Sequence, residues 1–475
     1  MHHLLNLQIT EKLIQNNKSL VTFAMLRTTP FIYEYLLAGY LLSQVILSYF
    51  LSGTTRAILF VILYVLKYKI EGFKITFPLF AIAQIALLYF SNILVQILIV
   101  IGLFFTLNRL PVFKCVQPTG SYRVGYKDLK IEGLDVSVYY PTFDTTKDIL
   151  VHEGSVLTKR NYEGARLFFN IYIPYVVPQI IHEVAFSFFW KLRLGVNANA
   201  SIIPTKREEK LPVILFSHGI ACSKNLYTIF TKEWASRGYL VFCIDHDEDI
   251  YCNWKYFEEL IEAKKPLLET RKDSVKKLLT CVLNEQVIEK LFGPSTQIDT
   301  DRIFMAGHSF GGGTATTVAF EDNRITGGLV LLDPFLGPCE EKILQKEINL
   351  PILCLRTDEY DRISPIRDTV LEFVKKNSEN IMSGYLKDSF HCIQSDLILY
   401  LAKELSLWEM NGKLENIEPH IICHRKLMNT FLDMVSHADK TERQNPKILM
   451  KNIRQELNSF LTIIQKRNII FYNDN

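Results

Sequence analysis

A serine between glycines is the first feature of this sequence that could do chemistry. Residues 304–314 read FMAGHSFGGGT, in which Ser309 lies between Gly307 and Gly311 at the end of an apolar run. A serine hydroxyl attacks a carbonyl carbon only where it is exposed on a sharp turn beside a base that removes its proton. Glycines at the two flanking positions permit that turn, because side chains there would collide with the neighbouring strand and helix. The G-x-S-x-G pattern also arises by chance, but here it follows a strand-like run and opens a helical stretch, so we predict that Ser309 is a nucleophile.

The base should be a histidine that follows the serine in chain order. Four histidines do so: His391, His420, His424 and His437. His391 lies in YLKDSFHCI, just past a short apolar run, whereas the other three fall within a helical C-terminal region. We therefore favour His391 as the general base.

The acid that orients this histidine has more than one candidate. Asp333 ends one apolar run, LVLLDPF, and Asp358 and Asp361 follow the next, LCLRTDEYD. A carboxylate at either strand end could reach an imidazole, so the pattern alone leaves the choice open. The aspartates that do not serve as the acid would be helix caps or surface turns.

An oxyanion hole requires two backbone N–H groups near the nucleophile. One should come from the residue after the serine, Phe310, and one from the early loop SHGIAC, where Ile220 follows the glycine. His218 in that loop precedes Ser309 in the chain, so we assign it a packing or loop-shaping role instead of a catalytic one.

The elements that must position these residues alternate between strands and helices. Five short apolar runs each end in polar residues or glycine, as is typical of parallel strands buried on both faces: 212–219, 238–247, 302–309, 327–334 and 351–358. Helical patterns separate them at 226–236, about 256–291 and 312–320. This predicts an α/β-hydrolase type of fold with a mostly parallel, doubly wound sheet and a site at the carboxyl ends of the strands. Residues 122–141 alternate around a glycine turn, which predicts an antiparallel strand pair.

The first 110 residues are much more hydrophobic than the rest. Residues 35–55 and 75–108 carry no charge over 21 and 34 positions, and a ten-residue apolar run, 57–66, lies between Arg56 and Lys67. Because a bilayer crossing needs about 20 apolar residues, we predict two to four transmembrane helices and a multi-pass membrane location. The distribution of lysines slightly favours a lumenal or extracellular catalytic domain. Residues 1–110 would then be a membrane anchor, and 111–475 the catalytic domain with an aromatic-rich insertion at about 150–210.

The charge balance argues against a nucleic-acid partner. Fifty-three basic and 50 acidic residues give a formal net charge of +3, and no basic tract with interleaved aromatics is present. The scattered cysteines and histidines lack the close spacing of a metal site, and we predict neither a metal nor a cofactor.

Several longer segments resemble the platelet-activating-factor acetylhydrolases, calcium-independent serine phospholipases that include the plasma lipoprotein-associated form. The similar segments span about residues 119–400 and read TGSYRVGYKDL with VYYP, LPVILFSHGI, GHSFGGGTA, EDNRITGGLVLLDP and DSFHCIQSD. The resemblance implies Ser309 as nucleophile, Asp333 as the acid, His391 as the base, and backbone donors at Ile220 and Phe310. It also implies hydrolysis of short or oxidised sn-2 acyl esters of glycerophospholipids without a metal.

This sequence departs from the family pattern at three places. Pro334 and Phe335 stand where a tryptophan usually follows the acid, Ala221 stands where glycine is usual, and the hydrophobic residues 1–110 are foreign to the soluble members. We predict a membrane-anchored esterase that acts on lipid acyl esters. The alternatives are a carboxylesterase or dienelactone-type hydrolase of small esters, and a membrane-bound binding protein with an inactive hydrolase fold.

Overall fold

The structure is a computed structural model of the 475-residue chain. It describes residues 52–71, 76–89, 93–109, 117–144, 195–204, 210–220, 222–246, 257–396, 418–465 and 471–474. These residues fall into two compact units, one within residues 1–116 and the other within residues 117–396 and 413–475. The predicted insertion at 150–210 lies mostly outside the described residues, as do 35–51 of the first hydrophobic run.

The described residues of the second unit contain a ten-stranded sheet. Its strands are β1 (Arg123–Ile131), β2 (Leu134–Thr142), β3 (Asn197–Ala198), β4 (Leu211–Ser217), β5 (Leu240–Ile244), β6 (Ile298–His308), β7 (Gly328–Leu332), β8 (Ile352–Thr357), β9 (Ile381–Leu386) and β10 (Phe471–Asn473). They are arranged in the order β10-β9-β8-β7-β6-β4-β5-β2-β1-β3. The six neighbouring strands from β9 to β5 in that order are parallel, while β2 runs antiparallel to both β5 and β1, and β10 antiparallel to β9.

The sequence patterns account for most of these strands. Every residue of β5, β7 and β8 is buried, as expected for parallel strands covered by helices on both faces. The predicted antiparallel pair is β1 and β2, joined through Glu132 and Gly133, whose φ values of 50° and 83° suit a two-residue hairpin turn. The sequence did not predict β3, β9 or β10, since each is short or lacks a long apolar run.

Helices cover the sheet and connect its strands. In the second unit they are α4 (Thr228–Ser236), α5 (Phe257–Val282), α6 (Glu285–Phe292), α7 (Phe310–Glu321), α8 (Glu341–Leu344), α9 (Asp358–Asp361), α10 (Ser364–Lys376), α11 (Glu418–His437), α12 (Lys440–Gln444) and α13 (Pro446–Gln465). The helix predicted over 256–291 is in fact two helices. The side chain of Asn284 accepts from Gln286 N–H at 3.0 Å and thereby caps α6.

The strand order reverses direction beside β4. The chain passes from β4 to β5 on one side and then returns to place β6 on the other side of β4. In open α/β sheets the loops at such a reversal diverge and leave a crevice at the carboxyl ends of the strands. The two loops that line this crevice follow Ser217 and His308, and they carry the proposed oxyanion loop and nucleophile.

Three helices form the described part of the first unit: α1 (Gly53–Glu71), α2 (Thr76–Tyr89) and α3 (Ile93–Arg109). Among the described residues, none of the helices has both the length and the apolar character that a membrane crossing needs. The prediction of N-terminal transmembrane helices is therefore wrong for this part of the chain. The uncharged run 75–108 is divided into helices of 14 and 17 residues, which at about 1.5 Å per residue span roughly 21 and 26 Å, short of a core of about 30 Å. In α1 the apolar run lies between charged residues.

Candidate active site

Ser309 occupies a sharp turn between β6 and α7. Its φ and ψ angles are 56° and −121°, a conformation that costs a non-glycine residue energy and is held only by its surroundings. Those surroundings are hydrogen bonds: Ser309 N–H donates to Leu332 O at 2.9 Å, and Ser309 O accepts from Phe335 N–H at 2.8 Å. The turn is thus tied to β7 and to the segment after it, and the serine side chain is half-buried at the end of β6.

The flanking glycines are required by close backbone approaches. A Cβ atom on Gly307 would lie 2.0 Å from Gly311 O, and one on Gly311 would lie 2.1 Å from Ser217 O. Any side chain at either position would therefore push α7 away from β6 or β4. The tight approach places the first turn of α7, with the backbone N–H of Phe310, directly above the crevice.

Asp333 and His391 lie in direct contact. His391 Nδ1 is 2.8 Å from Asp333 Oδ2, and the aspartate is fully buried while the histidine side chain is 30% exposed. The carboxylate is fixed from the other side by Thr357, whose backbone N–H donates to Oδ1 at 2.6 Å and whose hydroxyl donates to Oδ2 at 2.7 Å. Because both carboxylate oxygens are fixed, Asp333 holds the imidazole in one orientation and with its proton on Nδ1.

The competing acids are engaged elsewhere. Asp358 pairs with Arg362 and accepts from Asp388 N–H, and Asp361 pairs with Arg356. Neither contacts an imidazole in the described residues.

The competing histidines are also committed to other contacts. His420 Nε2 is 3.0 Å from Lys387 O, His424 Nε2 is 3.1 Å from Gln394 Nε2, and His437 Nδ1 is 2.7 Å from Asp433 O. The structure thus brings His391 to Asp333 and leaves the three alternatives apart from it.

Two aromatic side chains that the sequence analysis did not assign flank His391. The ring of Tyr360 stacks on the imidazole with centroids 4.8 Å apart and an interplanar angle of 6°, and the His308 ring lies 4.4 Å away. Burial and the nearby Asp333 charge raise the pKa of Tyr360 well above its usual value, an effect partly offset by the adjacent Ser309 hydroxyl. The phenol therefore stays neutral, and its ring stacks on the imidazole.

His308 does not add a second positive charge beside the base. Burial, followed by the neighbouring His391, holds the pKa of His308 well below its ordinary value. Its Nδ1 lies 2.9 Å from the Tyr227 hydroxyl, which accepts from Gly219 N–H at 3.0 Å. His308 thus connects the turn at Ser309 to the loop after β4.

That loop carries the predicted oxyanion donor Ile220 and lies against the nucleophile. A Cβ atom on Gly219 would be 3.2 Å from the Cβ of Ser309, so the backbone before Ile220 passes directly beside the serine. His218 shapes this loop, since its Nδ1 lies 2.7 Å from Gly219 O and its Nε2 accepts from His246 N–H at 3.1 Å. Ile220 and Phe310 therefore lie on two backbone segments that pass beside Ser309.

Local sequence offered only weak signals for the residues that were missed. Thr357 ends β8 and Tyr360 lies in α9 immediately after it, so both stand beside the aspartates that were considered. The Thr357 hydroxyl holds the carboxylate and the Tyr360 ring stacks on the base, but neither is an acid, so the pattern of candidate acids does not identify them.

The parallel sheet, the strand–turn–helix at Ser309 and the buried carboxylate on the imidazole define the α/β-hydrolase class. A family model described as "Platelet-activating factor acetylhydrolase, isoform II" matches residues 111–290 and 282–453. Since this is more than half of the 475 residues, the chain belongs to that family, and the resemblance seen in the sequence motifs is confirmed.

Individual relatives are distant. The chain is 25% identical to platelet-activating factor acetylhydrolase of Canis lupus familiaris over 278 residues, which is 51% of this chain and 59% of that protein. It is 21% identical to the Gallus gallus protein of the same name over 350 residues, which is 64% of this chain and 80% of that protein. Among solved structures, a ferulic acid esterase from Streptomyces cinnamoneus aligns with 16% identity and a TM-score of 0.45, covering 69% of this chain and 97% of that one.

Proposed function

We propose that the chain is a serine esterase that hydrolyses short or oxidised sn-2 acyl esters of glycerophospholipids through an acyl-enzyme. The observation that carries this proposal is the 2.8 Å contact between His391 Nδ1 and the buried Asp333 carboxylate, at the same strand ends as the strained turn of Ser309. The family match supports the substrate class, because the relatives are named platelet-activating factor acetylhydrolase.

The acylation step uses the residues as follows. The Ser309 oxygen attacks the ester carbonyl carbon while Nε2 of His391 takes the hydroxyl proton, and the carbonyl oxygen becomes an oxyanion. The backbone N–H groups of Phe310 and Ile220 donate to that oxyanion. The bond to the lysophospholipid oxygen then breaks, and His391 returns the proton to this leaving group.

Deacylation repeats the steps with water as the nucleophile. His391 removes a proton from water, the hydroxide attacks the acyl-serine carbon, and the carboxylic acid leaves as the proton returns to Ser309. Asp333 stays ionised throughout and stabilises the imidazolium that forms twice in the cycle.

Ser309→Ala tests the proposal. We expect kcat for a 2-acetyl phospholipid to fall by about four to six orders of magnitude, with the thermal midpoint little changed, because the alanine removes the nucleophile and leaves the turn in place. A fluorophosphonate probe should label the wild type and not the variant. A wild type that neither hydrolyses esters nor reacts with the probe would leave only the binding-protein alternative.

A substrate panel separates the phospholipase from a general esterase. The wild type should have a higher kcat/KM for 2-acetyl than for 2-palmitoyl phosphatidylcholine. The same kcat/KM should be measured for a soluble nitrophenyl ester, with and without phospholipid vesicles. Hydrolysis of the soluble ester without any turnover of phospholipid would assign the chain to small-ester hydrolysis.

We extend the proposal to attachment of the enzyme to a lipid surface through the described helices of the first unit. Support comes from large apolar side chains on α2 and α3, among which Ile82, Ile85, Leu94 and Leu98 are each more than half exposed. Ile85→Ser with Leu94→Ser should weaken co-sedimentation with phosphatidylcholine vesicles, whereas the control Ile448→Ser, in the second unit, should not. Equal vesicle binding by the wild type, the double variant and the Ile448→Ser control would refute attachment through this surface.

A further inference from the structure

The two donors of the proposed oxyanion hole come from separate parts of the chain. Ile220 lies in the loop after β4, and Phe310 begins α7 after β6. Both N–H groups stabilise an oxyanion only if they stay about 3 Å from one point in space. A side chain that contacts both segments would fix that spacing.

Arg271, near the middle of α5, is such a side chain. Its Nη1 donates to His218 O at 2.6 Å, two residues before Ile220, and its guanidinium carbon lies 4.6 Å from the centroid of the Phe310 ring. One contact is a charge-assisted hydrogen bond and the other a cation–π interaction, and both depend on orientation. Arg271 therefore joins the two oxyanion segments directly.

The burial of this arginine indicates that it does more than fill space. Arg271 is 1% exposed, and removing a guanidinium from water is costly unless its partners compensate. Its charge also acts on the loop electrostatically: after burial, Arg271 is the next cause that lowers the pKa of His246, which sits at the same strand ends. A negative oxygen formed between Ile220 and Phe310 would be stabilised by the same positive charge.

The Tyr227 hydroxyl also connects the loop to the turn, through Gly219 N–H and His308 Nδ1, whereas Arg271 brings a positive charge to both segments. The Tyr227 hydroxyl and the His246 N–H fix Gly219 and His218 within the loop, and neither of these two contacts involves the Phe310 ring. We propose that Arg271 is a positioning residue for the oxyanion hole, which sets the spacing of the Ile220 and Phe310 donors and stabilises the developing oxyanion. This role rests on the proposed esterase function.

Arg271→Met tests the role, because methionine fills similar volume without the charge or the donors. We expect kcat for p-nitrophenyl acetate to fall by about 100-fold, the effect of losing an oxyanion donor, with KM changed by less than about threefold. The decisive readout is the ratio of kcat/KM for this ester to that for its thionoester. A hole spaced for oxygen discriminates against the larger sulfur anion, so the ratio should fall by about tenfold or more in the variant.

Two further variants separate positioning from general loss of structure. Arg271→Lys keeps the charge but not the planar donor fork, so its kcat should lie between those of the wild type and Arg271→Met. Arg425→Met removes another buried arginine, one that pairs with Glu233 away from the site; it should lower the thermal midpoint and leave the oxygen-to-sulfur ratio unchanged.

The outcomes distinguish this inference from the proposed function. A wild type that hydrolyses esters, together with an Arg271→Met protein that keeps the wild-type ratio, would overturn the role of Arg271 alone. If Arg271→Met lowers kcat/KM for the ester and for the thionoester by the same factor, the ratio is also unchanged and the same conclusion follows. A wild type without ester hydrolysis or probe labelling would overturn the proposed function, and the role of Arg271 with it.

Discussion

Replacing Asp333 by asparagine probes the contact on which the mechanism depends. In the native site Asp333 Oδ1 accepts from Thr357 N–H at 2.6 Å, and Oδ2 accepts from the Thr357 hydroxyl at 2.7 Å and faces His391 Nδ1 at 2.8 Å. An asparagine must keep its amide oxygen on Thr357 N–H, because the reverse orientation would set two donors against each other in a buried position. Its NH2 group then faces His391.

This arrangement fixes the wrong tautomer of the base. Since the amide NH2 donates to Nδ1, the imidazole must carry its proton on Nε2, the nitrogen that should accept the proton of Ser309. Serine hydrolases with this change lose about 10⁴-fold in kcat, which is about 5.4 kcal/mol of transition-state stabilisation at 1.36 kcal/mol for each factor of ten. We expect a loss of that order for Asp333→Asn, with little change in KM.

The assay compares Asp333→Asn with a matched variant, Asp358→Asn. Asp358 is also an acid at a strand end, but it pairs with Arg362 and accepts from Asp388 N–H, so its replacement should alter kcat by less than about fivefold. Initial rates on a 2-acetyl phospholipid and on p-nitrophenyl acetate, each normalised to folded protein, measure both effects. A larger loss in Asp358→Asn, or an Asp333→Asn enzyme within tenfold of the wild type, would refute this assignment of the acid.

Two other predictions concern neighbouring side chains. Tyr360→Phe keeps the ring that stacks on His391 and removes a buried hydroxyl that has no hydrogen-bond partner among the described residues, so it should change kcat by less than about threefold. Tyr360→Leu should lose more, and full activity in that variant would refute a role for the stacked ring. Burial lowers the pKa of His424 to about 4. Between about pH 6.5 and pH 4 the unfolded chain therefore binds a proton at this histidine that the native chain does not bind, so the free energy of unfolding falls as the pH falls. The free energy of unfolding, measured with denaturant at pH 7.5 and at pH 5, should therefore decrease between these pH values by about 2 kcal/mol less in His424→Gln than in the wild type. An equal decrease in both proteins would contradict this prediction.

Local sequence carried enough information for the turn and for the central strands of the sheet. Gly307 is required by a contact within the turn itself, since a Cβ atom there would lie 2.0 Å from Gly311 O, whereas Gly311 is required by the neighbouring strand end at Ser217 O. The continuous apolar runs predicted the central parallel strands because burial on both faces excludes polar residues along the whole strand. His391 was favoured because it lies just past a short apolar run, whereas the other three histidines fall in a helical region, and both are local properties.

Hydropathy alone gave the wrong result at the N-terminus. A count of uncharged residues over 75–108 measures the length of an apolar run, but it does not locate where one helix ends and the next begins. The structure divides that run between α2 and α3, which pack against each other.

The residue pattern left the choice of acid open and the family resemblance implied Asp333, but only the tertiary structure shows that Asp333 contacts His391. Only the tertiary structure likewise shows that Arg271 contacts both proposed oxyanion segments. Asp333, Asp358 and Asp361 follow neighbouring strands and look alike in sequence, and Thr357 distinguishes them by holding the carboxylate of Asp333 toward His391. Arg271 lies 53 residues after His218 and 39 before Phe310, and no local pattern links these positions. Spacing along a chain determines which residues share an element, while contacts between elements depend on how the whole sheet and its helices pack.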